Sequence, residues 1–198
     1  MRNISLSVLL TSLLAASAVG ITSISAVGCD DGGTGGTGGG AGGSGGSGGG
    51  SAAACFDYSS IDLTTPTVSF KTDVLPVFQR SCGLTTGCHG DPLSPNENRP
   101  YLGPKMTVTA TDEDIAAIRA DIVDQLSYFE SSMRIVTSGD PAKSFLMHKM
   151  DFTLKCEDLT CAANKDCGVA MPQGNDEPLA ADERDLVRRW IAQGALDN

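Results

Sequence analysis

Apolar and polar positions follow a helical rhythm in four separate stretches of the chain. Within each stretch, aliphatic and aromatic side chains recur three or four positions apart, as in a helix with one buried face. Capping residues and glycines stand at the ends of these stretches. No convincing set of alternating strands accompanies them. The pattern predicts a mainly α-helical domain with about four helices joined by long loops.

The first two predicted helices have clear start signals. The first spans about 73–82, with Thr72 as its N-cap and Gly83 as its end. The second spans about 112–126, with Thr111 as its N-cap and acidic residues in the first turn, where the helix dipole favours them. The apolar stripe of this second helix is Ile115, Ile118, Ile122, Val123 and Leu126.

The last two predicted helices follow a long irregular region. The third begins at Asp140-Pro141, an N-cap followed by proline at the first helical position, and continues to about Met150. The fourth spans about 180–193 and stops at Gly194. The buried stripe predicted for the fourth helix is Leu186, Val187, Trp190 and Ile191. Both helices therefore have one apolar side to pack.

The N-terminus has the features of an exported bacterial lipoprotein. Arg2 precedes an apolar stretch over 4–19, and Ala26-Val27-Gly28-Cys29 resembles a lipobox, in which cleavage occurs before the cysteine. An uncleaved membrane anchor is the alternative, but Ser and Thr residues interrupt the apolar stretch. The sequence predicts a signal peptide over 1–28 and lipidation of Cys29.

Residues 29–54 are nearly all small and polar, with glycine concentrated between 32 and 50. Such a stretch has no apolar periodicity with which to bury a core, so it is predicted to be a flexible linker. The folded domain is then predicted to occupy 55–198. We expect an exported protein held to a membrane by its lipid, facing the periplasm or the cell surface.

The chain is acidic, with a formal net charge of -10 and an isoelectric point near 4.5. Phosphate backbones repel such a protein, so nucleic acid is not an expected partner. The charge serves solubility, or it serves docking to a basic patch on another protein.

The segment from Cys82 to His89 has the residues of a covalent haem-attachment site. Two cysteine thiols add to the vinyl groups of the haem, and the histidine after the second cysteine ligates the iron. The usual spacing places two residues between the cysteines, whereas five stand between Cys82 and Cys88 here. A Cys82–Cys88 disulfide is one alternative. Another is a single-thioether site, with Thr85 in the first cysteine position.

An ordered series of short patches resembles class I cytochromes c of exported bacterial proteins. A helix leads into the attachment segment, and a Met-Pro pair precedes a final helix that contains Trp-Ile. The patches are Asp73-Val74-Leu75-Pro76-Val77-Phe78, Cys88-His89-Gly90, Gly139-Asp140-Pro141, Ser144-Phe145-Leu146, Cys167-Gly168, Met171-Pro172, Pro178-Leu179 and Trp190-Ile191-Ala192-Gln193-Gly194-Ala195. Together they cover roughly 69–198.

This resemblance implies a set of site residues. Cys82 and Cys88 would anchor a covalent haem c, with His89 as the proximal and Met171 as the distal ligand of its iron. An iron with two protein ligands has no open position, so the expected role is electron transfer and not enzymatic catalysis. The residues expected to exclude water from the haem are Phe78, Ile118 and Trp190.

Two functions follow as hypotheses. The first is a membrane-tethered cytochrome domain with one haem, which exchanges electrons with periplasmic or membrane redox proteins. The second is a lipoprotein without haem, stabilised by disulfides and acting as a binding or structural module. The second predicts that Cys82 and Cys88 are linked.

The remaining cysteines and the second histidine complete the candidates. Once Cys29 and the attachment pair are set aside, four cysteines remain and allow three pairings. They are Cys55, Cys156, Cys161 and Cys167. Two disulfides that stiffen the loop carrying Met171 are preferred over a metal site, because the spacings do not match a zinc knuckle. His148 is predicted to be partly exposed, with a minor alternative as an axial ligand.

Overall fold

The computed structural model describes residues 55–93, 99–156, 159–161 and 167–198. The α-helices of these residues are α1 (Leu75–Ser81), α2 (Asp112–Ile122), α3 (Phe145–Met150) and α4 (Ala181–Ala192). Isolated bridges, and no extended strands, join the segments that the structure describes. The prediction of a mainly helical domain is confirmed. The predicted signal peptide, the lipidation site Cys29 and the linker lie outside the described residues.

The first helical segment starts earlier than the sequence pattern predicts. A π-helical turn at Phe70–Val74 leads directly into α1, and Ser69 caps it by accepting a hydrogen bond from the N–H of Thr72. Thr72 is therefore inside the first turn and is not the N-cap. The early start has a packing reason, because the turn places Phe70 in the core with no exposed surface.

The second helix begins as predicted and ends four residues early. Thr111 and Asp114 form a reciprocal capping box at its start. After Ile122 the chain turns extended, and the N–H of Val136 donates to the carbonyl of Ile122 over 3.0 Å. Leu126 is consequently outside the helix and 62% exposed. Pairing with the segment near Val136 replaces the last helical turn that periodicity predicts.

The third predicted helix is two short helical segments. Asp140 caps a 3-10 turn at Pro141–Lys143, and the extended backbone of Ser144 separates that turn from α3. The fourth helix matches its predicted limits to within one residue at each end. Gly194 ends α4 with a φ of +101°, a left-handed conformation that glycine adopts without strain.

Three aromatic side chains join the beginning and the end of the domain. The ring of Trp190 in α4 lies 5.0 Å from that of Phe70 and 6.3 Å from that of Phe78, between ring centroids. All three are at most 1% exposed, and the indole N–H of Trp190 donates to the carbonyl of Leu196 over 2.8 Å. The cluster buries large apolar surfaces and still satisfies the polar atom of the indole.

Two disulfides fasten the loops. Cys55 is bonded to Cys156, and Cys161 is bonded to Cys167. One of the three pairings that the sequence left open is therefore selected. The first bond ties the start of the domain to the segment after α3, and the second closes a short loop ahead of Met171.

A buried ionic cluster reinforces the same region. Asp151, just after α3, accepts hydrogen bonds from Arg184, over 2.6 Å, and from Arg188, both in α4. The guanidinium of Arg188 also lies 3.8 Å from the ring centroid of Phe56. Because Asp151 and Arg188 are buried, each needs the other as a charge partner.

No helix among the described residues has the length and apolar character needed to cross a bilayer.

Replacement of Trp190 by alanine tests the aromatic cluster. The substitution removes the largest buried side chain and is expected to lower the free energy of unfolding by about 3–5 kcal/mol. Leu93→Ala is the matched control, because Leu93 is 91% exposed, and it is expected to change stability by less than about 0.5 kcal/mol. Denaturant unfolding measures both. Equal stabilities of the two variants would show that the aromatic cluster does not stabilise the core.

Candidate functional site

A cavity of about 1000 Å³ lies beside α3. Five parts of the chain form its wall: the end of α1 with the attachment segment, the residues around Pro100, the stretch 127–135, α3, and the loop before α4. Its apolar lining includes Leu102, Phe129, Ile135, Phe145, Leu146, Met150 and Leu179. A cavity of this size and character suits a cofactor-sized, largely apolar ligand.

The four cofactor residues predicted from the sequence line this one cavity. Cys82, Cys88 and His89 contribute from the attachment segment, and Met171 contributes from the loop before α4. Met171 is distant from the other three in sequence, so the tertiary fold alone brings them together. Two cysteines, a histidine and a methionine thus belong to the wall of one cavity.

The five residues between the two cysteines fold into compact turns. The carbonyl of Thr85 accepts hydrogen bonds from the N–H groups of Cys88 and Gly90, each over 3.1 Å. The N–H of His89 donates to the carbonyl of Cys82, also over 3.1 Å. A direct backbone bond therefore connects the first cysteine to the histidine. These turns keep Cys82 and His89 close together, although five residues separate the two cysteines.

Two glycines make these turns feasible. A Cβ atom on Gly83 would lie 2.5 Å from the carbonyl oxygen of Gly103, and one on Gly90 would lie 2.7 Å from that of Gly83. Both distances are shorter than any tolerated carbon–oxygen contact, and the obstructing atoms belong to backbone. The close approach of three backbone segments thus requires the absence of side chains at these positions.

His89 has one ring nitrogen occupied by the protein. Its Nδ1 lies 2.7 Å from the carbonyl oxygen of Pro100. A carbonyl can only accept, so Nδ1 carries the proton and Nε2 is the nitrogen able to act as a ligand. Burial lowers the pKa of His89, the Pro100 hydrogen bond opposes this, and Arg99 and Lys149 add to the lowering. The imidazole is thereby favoured in its neutral, ligating form.

The two attachment cysteines differ in state. Cys82 is a free thiol, 8% exposed, and burial raises its pKa to about 12. Cys88 is disulfide-bonded, and Cys82 is not its partner. The predicted alternative of a Cys82–Cys88 disulfide is therefore wrong. Thr85 is also close to Cys88, since its hydroxyl lies 3.3 Å from the Cys88 sulfur.

A buried lysine that the sequence analysis did not single out holds the loop before α4. The ammonium of Lys149 donates to the carbonyls of Cys167, over 2.6 Å, and Val169, over 2.9 Å. Its own backbone carbonyl accepts from the N–H of Met171 over 2.9 Å. The sequence contains a signal for it, because Lys149 is a charged residue among the apolar residues of the third predicted helix.

The described part of the cavity wall is basic, although the protein is acidic. Arg80, Arg99 and Lys149 line it, and none of the described lining residues is Asp or Glu. Arg80 pairs with Glu183, which is not among the lining residues, and Arg99 donates to the carbonyl of Gly87 over 2.8 Å. The local charge therefore favours a ligand that carries negative groups on an apolar body.

His148 is placed differently from its prediction. It is 6% exposed and does not line the cavity. Its Nδ1 lies 3.1 Å from the hydroxyl of Thr153 and 3.6 Å from the sulfur of Cys156. The prediction of partial exposure is wrong, and the side chain is outside the wall that holds His89 and Met171. The α3 residues that do line the cavity are Phe145, Leu146, Lys149 and Met150.

A histidine and two cysteines also meet beside the domain's first disulfide. Potential ligand atoms of Cys55, His148 and Cys156 all lie within 4.8 Å of one another. The two sulfurs are bonded to each other, however, so neither is available as a thiolate ligand. The group is part of the disulfide-bonded region and is not a metal site in this oxidised form.

The residues predicted to shield a haem from water have another role. Phe78, Ile118 and Trp190 belong to the hydrophobic core and are absent from the cavity wall. The wall is built by the end of α1, by α3 and by loops. The apolar side chains of the cavity wall are instead Leu102, Phe129, Ile135, Phe145, Leu146, Met150 and Leu179.

Replacement of Gly83 by alanine tests the packing of the attachment segment. The new methyl group would overlap the Gly103 carbonyl, so we expect a loss of about 1–3 kcal/mol in the free energy of unfolding. Thr86→Ala, at an exposed position in the same segment, is the control and is expected to be near neutral. Denaturant unfolding compares the two variants. A Gly83→Ala protein as stable as the control would contradict the close backbone approach.

Alkylation of Cys82 tests its burial. The thiolate is the reactive species, so a buried thiol with a raised pKa should resist iodoacetamide at pH 8 in the folded, haem-free, oxidised protein. The same peptide should be labelled after unfolding. Peptide mass spectrometry measures both states. Rapid labelling in the folded state would show that Cys82 is exposed or that the segment opens.

No family model, curated protein or solved structure matches this chain.

Proposed function

We propose that the domain binds one covalent haem in this cavity and transfers electrons. The observation that carries the proposal is the convergence of Cys82, Cys88, His89 and Met171 on one cavity. These residues come from two loops far apart in sequence, and their types match the donor set of a haem c site.

The residues of the cavity fit a haem in three further respects. The volume of about 1000 Å³ lies within the range of cofactor pockets, and the wall is largely apolar. The cations Arg80 and Arg99, without a described carboxylate in the lining, suit the two carboxylate groups of a porphyrin. The Pro100 carbonyl orients the imidazole of His89, as a supporting hydrogen bond does for metal-bound histidines generally.

Each chain residue has a defined task in this proposal. Cys82 and Cys88 would hold the cofactor through thioether bonds, and His89 would bind the iron through Nε2. Met171 would be the second protein ligand, and its soft thioether would favour the reduced metal and raise the reduction potential. When bound, the haem supplies the one-electron chemistry. With both side chains as iron ligands, the domain would act as an electron carrier.

The tethering and partners proposed from the sequence complete this function. A lipid on Cys29 and the linker over 29–54 would confine the domain near a membrane, which raises its effective concentration toward redox proteins there. The acidic surface, with a net charge of -10 for the chain, favours partners with a basic docking patch. Export would place the domain in the periplasm or at the cell surface.

A haem-free binding or structural module is the second candidate. It is favoured by the disulfide state of Cys88, because one sulfur cannot form both a disulfide and a thioether. The bonds Cys55–Cys156 and Cys161–Cys167 would then stabilise the module, with the cavity taking another anionic, apolar ligand. The two candidates make opposite predictions for the chemical state of Cys88.

Production of the full chain in bacteria that assemble c-type cytochromes distinguishes the candidates. We expect a coloured protein whose intact mass includes one haem and whose haem stays attached in a denaturing gel. Peptide mapping should find the macrocycle on the peptide with Cys88 and His89. A colourless protein with Cys88 in a disulfide would contradict the proposal and support the haem-free module.

Two substitutions assign the ligands and anchors. Met171→Ala should retain covalent haem and lower the reduction potential, because a thioether ligand is lost. Met106→Ala is its control, since Met106 is 62% exposed and outside the cavity wall.

Cys82→Ser should retain one thioether through Cys88 and shift the visible spectrum. An unchanged spectrum would instead support the single-thioether alternative with Thr85 in the first cysteine position.

A further inference from the structure

We infer that Lys149 is the positioning residue for Met171, the residue proposed as the second iron ligand. The inference rests on the proposed function for the ligand role of Met171. The loop anchoring itself is a property of the protein without any cofactor. The two disulfides would otherwise be the expected means of holding this loop.

Three hydrogen bonds to the loop converge on Lys149. Its ammonium binds the carbonyls of Cys167 and Val169, and its backbone carbonyl binds the N–H of Met171. One helical residue thereby holds the loop at alternate positions from 167 to 171. Because the residue is 7% exposed, its charge-assisted hydrogen bonds operate away from competing water.

The aromatic residues beside Lys149 fix the direction of its side chain. Its ammonium lies 4.4 Å from the ring centroid of Phe129 and 5.3 Å from that of Phe145. The negative faces of such rings attract a cation. Both rings also line the cavity, so the ammonium is held at the boundary between the cavity wall and the loop.

Gly168 makes the contact sterically possible. Its φ of +67° is left-handed, and a Cβ atom there would lie 2.8 Å from the Lys149 ammonium and 3.2 Å from the Phe129 ring. Any side chain would meet the lysine and the ring at once. The turn at Gly168 therefore presents the two flanking carbonyls to the same ammonium.

The disulfides act at a greater distance from Met171. Cys161–Cys167 closes a loop that ends four residues before Met171, and Cys55–Cys156 is fixed on the segment after α3. Lys149 instead bonds to the residue on each side of Gly168 and to Met171 itself. The backbone position of Met171 thus depends most directly on α3.

Hydrogen exchange of the haem-free protein tests the anchoring. Lys149→Met keeps the apolar stem against Phe129 and Phe145 but removes the donors. We expect amide exchange over 168–171 to become about tenfold faster or more, with little change in α4. Lys105→Met, at an exposed lysine, is the matched control and should leave exchange unchanged. Unchanged exchange over 168–171 in Lys149→Met would overturn the inference.

The reduction potential of the haem-loaded protein tests whether Lys149 acts through Met171. Lys149→Met should lower the potential in the same direction as Met171→Ala. The double variant should show no further shift beyond Met171→Ala, because the ligand on which Lys149 acts is already gone. A shift of equal size in both backgrounds would show that Lys149 acts on the cavity charge and not on Met171, which overturns the positioning role.

The two measurements separate this inference from the proposed function. A colourless protein defeats the haem proposal and the ligand role of Met171, yet the exchange experiment still decides whether Lys149 anchors the loop. If Lys149→Met does not fold, Lys149→Gln, which retains a neutral donor, replaces it in both experiments. We then expect an intermediate increase in exchange over 168–171, and wild-type exchange would again overturn the anchoring.

Discussion

The packing of Trp190 against Phe70 and Phe78 is the interaction on which the rest of the domain depends. It joins α1 to α4, the first and last helices of the described domain. The attachment segment starts where α1 ends, and the loop carrying Met171 finishes where α4 begins. Docking these two helices therefore brings the two loops toward each other. The cavity follows from that docking, because the segment after α1 and the loop before α4 both form part of its wall.

Backbone contacts then decide the shape of the attachment segment. Its two cysteines stand farther apart in sequence than in the usual motif, yet the hydrogen bond from His89 to Cys82 closes the segment on itself. Gly83 lies close to the Gly103 carbonyl, so this closed segment packs against the part of the chain that includes Pro100. A change in spacing is thus absorbed by turn geometry, while the side chains at both ends still reach one cavity.

The chain carries a negative net charge, whereas the charged side chains of the described cavity wall are positive. The protein as a whole is strongly acidic, but the described cavity wall contains basic side chains and no carboxylates. Lys149 is the most buried of these cations, and loop carbonyls and aromatic rings compensate for its loss of water. A buried cation of this kind is stable only while the loop stays in place, so the loop and the charge stabilise each other. This coupling gives the proposed distal ligand a defined position before any cofactor is considered.

The sequence by itself determined the helical class, the capping of α2 by Thr111, the end of α4 at Gly194 and the residue types of the proposed haem site. These features rest on local causes: side-chain periodicity, cap hydrogen bonds and the conformational freedom of glycine. Only the tertiary structure decided the pairing of the disulfides, the end of α2 at Ile122, the burial of His148 and the role of Lys149. It also placed Phe78, Ile118 and Trp190 in the hydrophobic core and outside the cavity wall. Each of these depends on which distant segments come into contact, and periodicity along one segment carries no information about its neighbours in space.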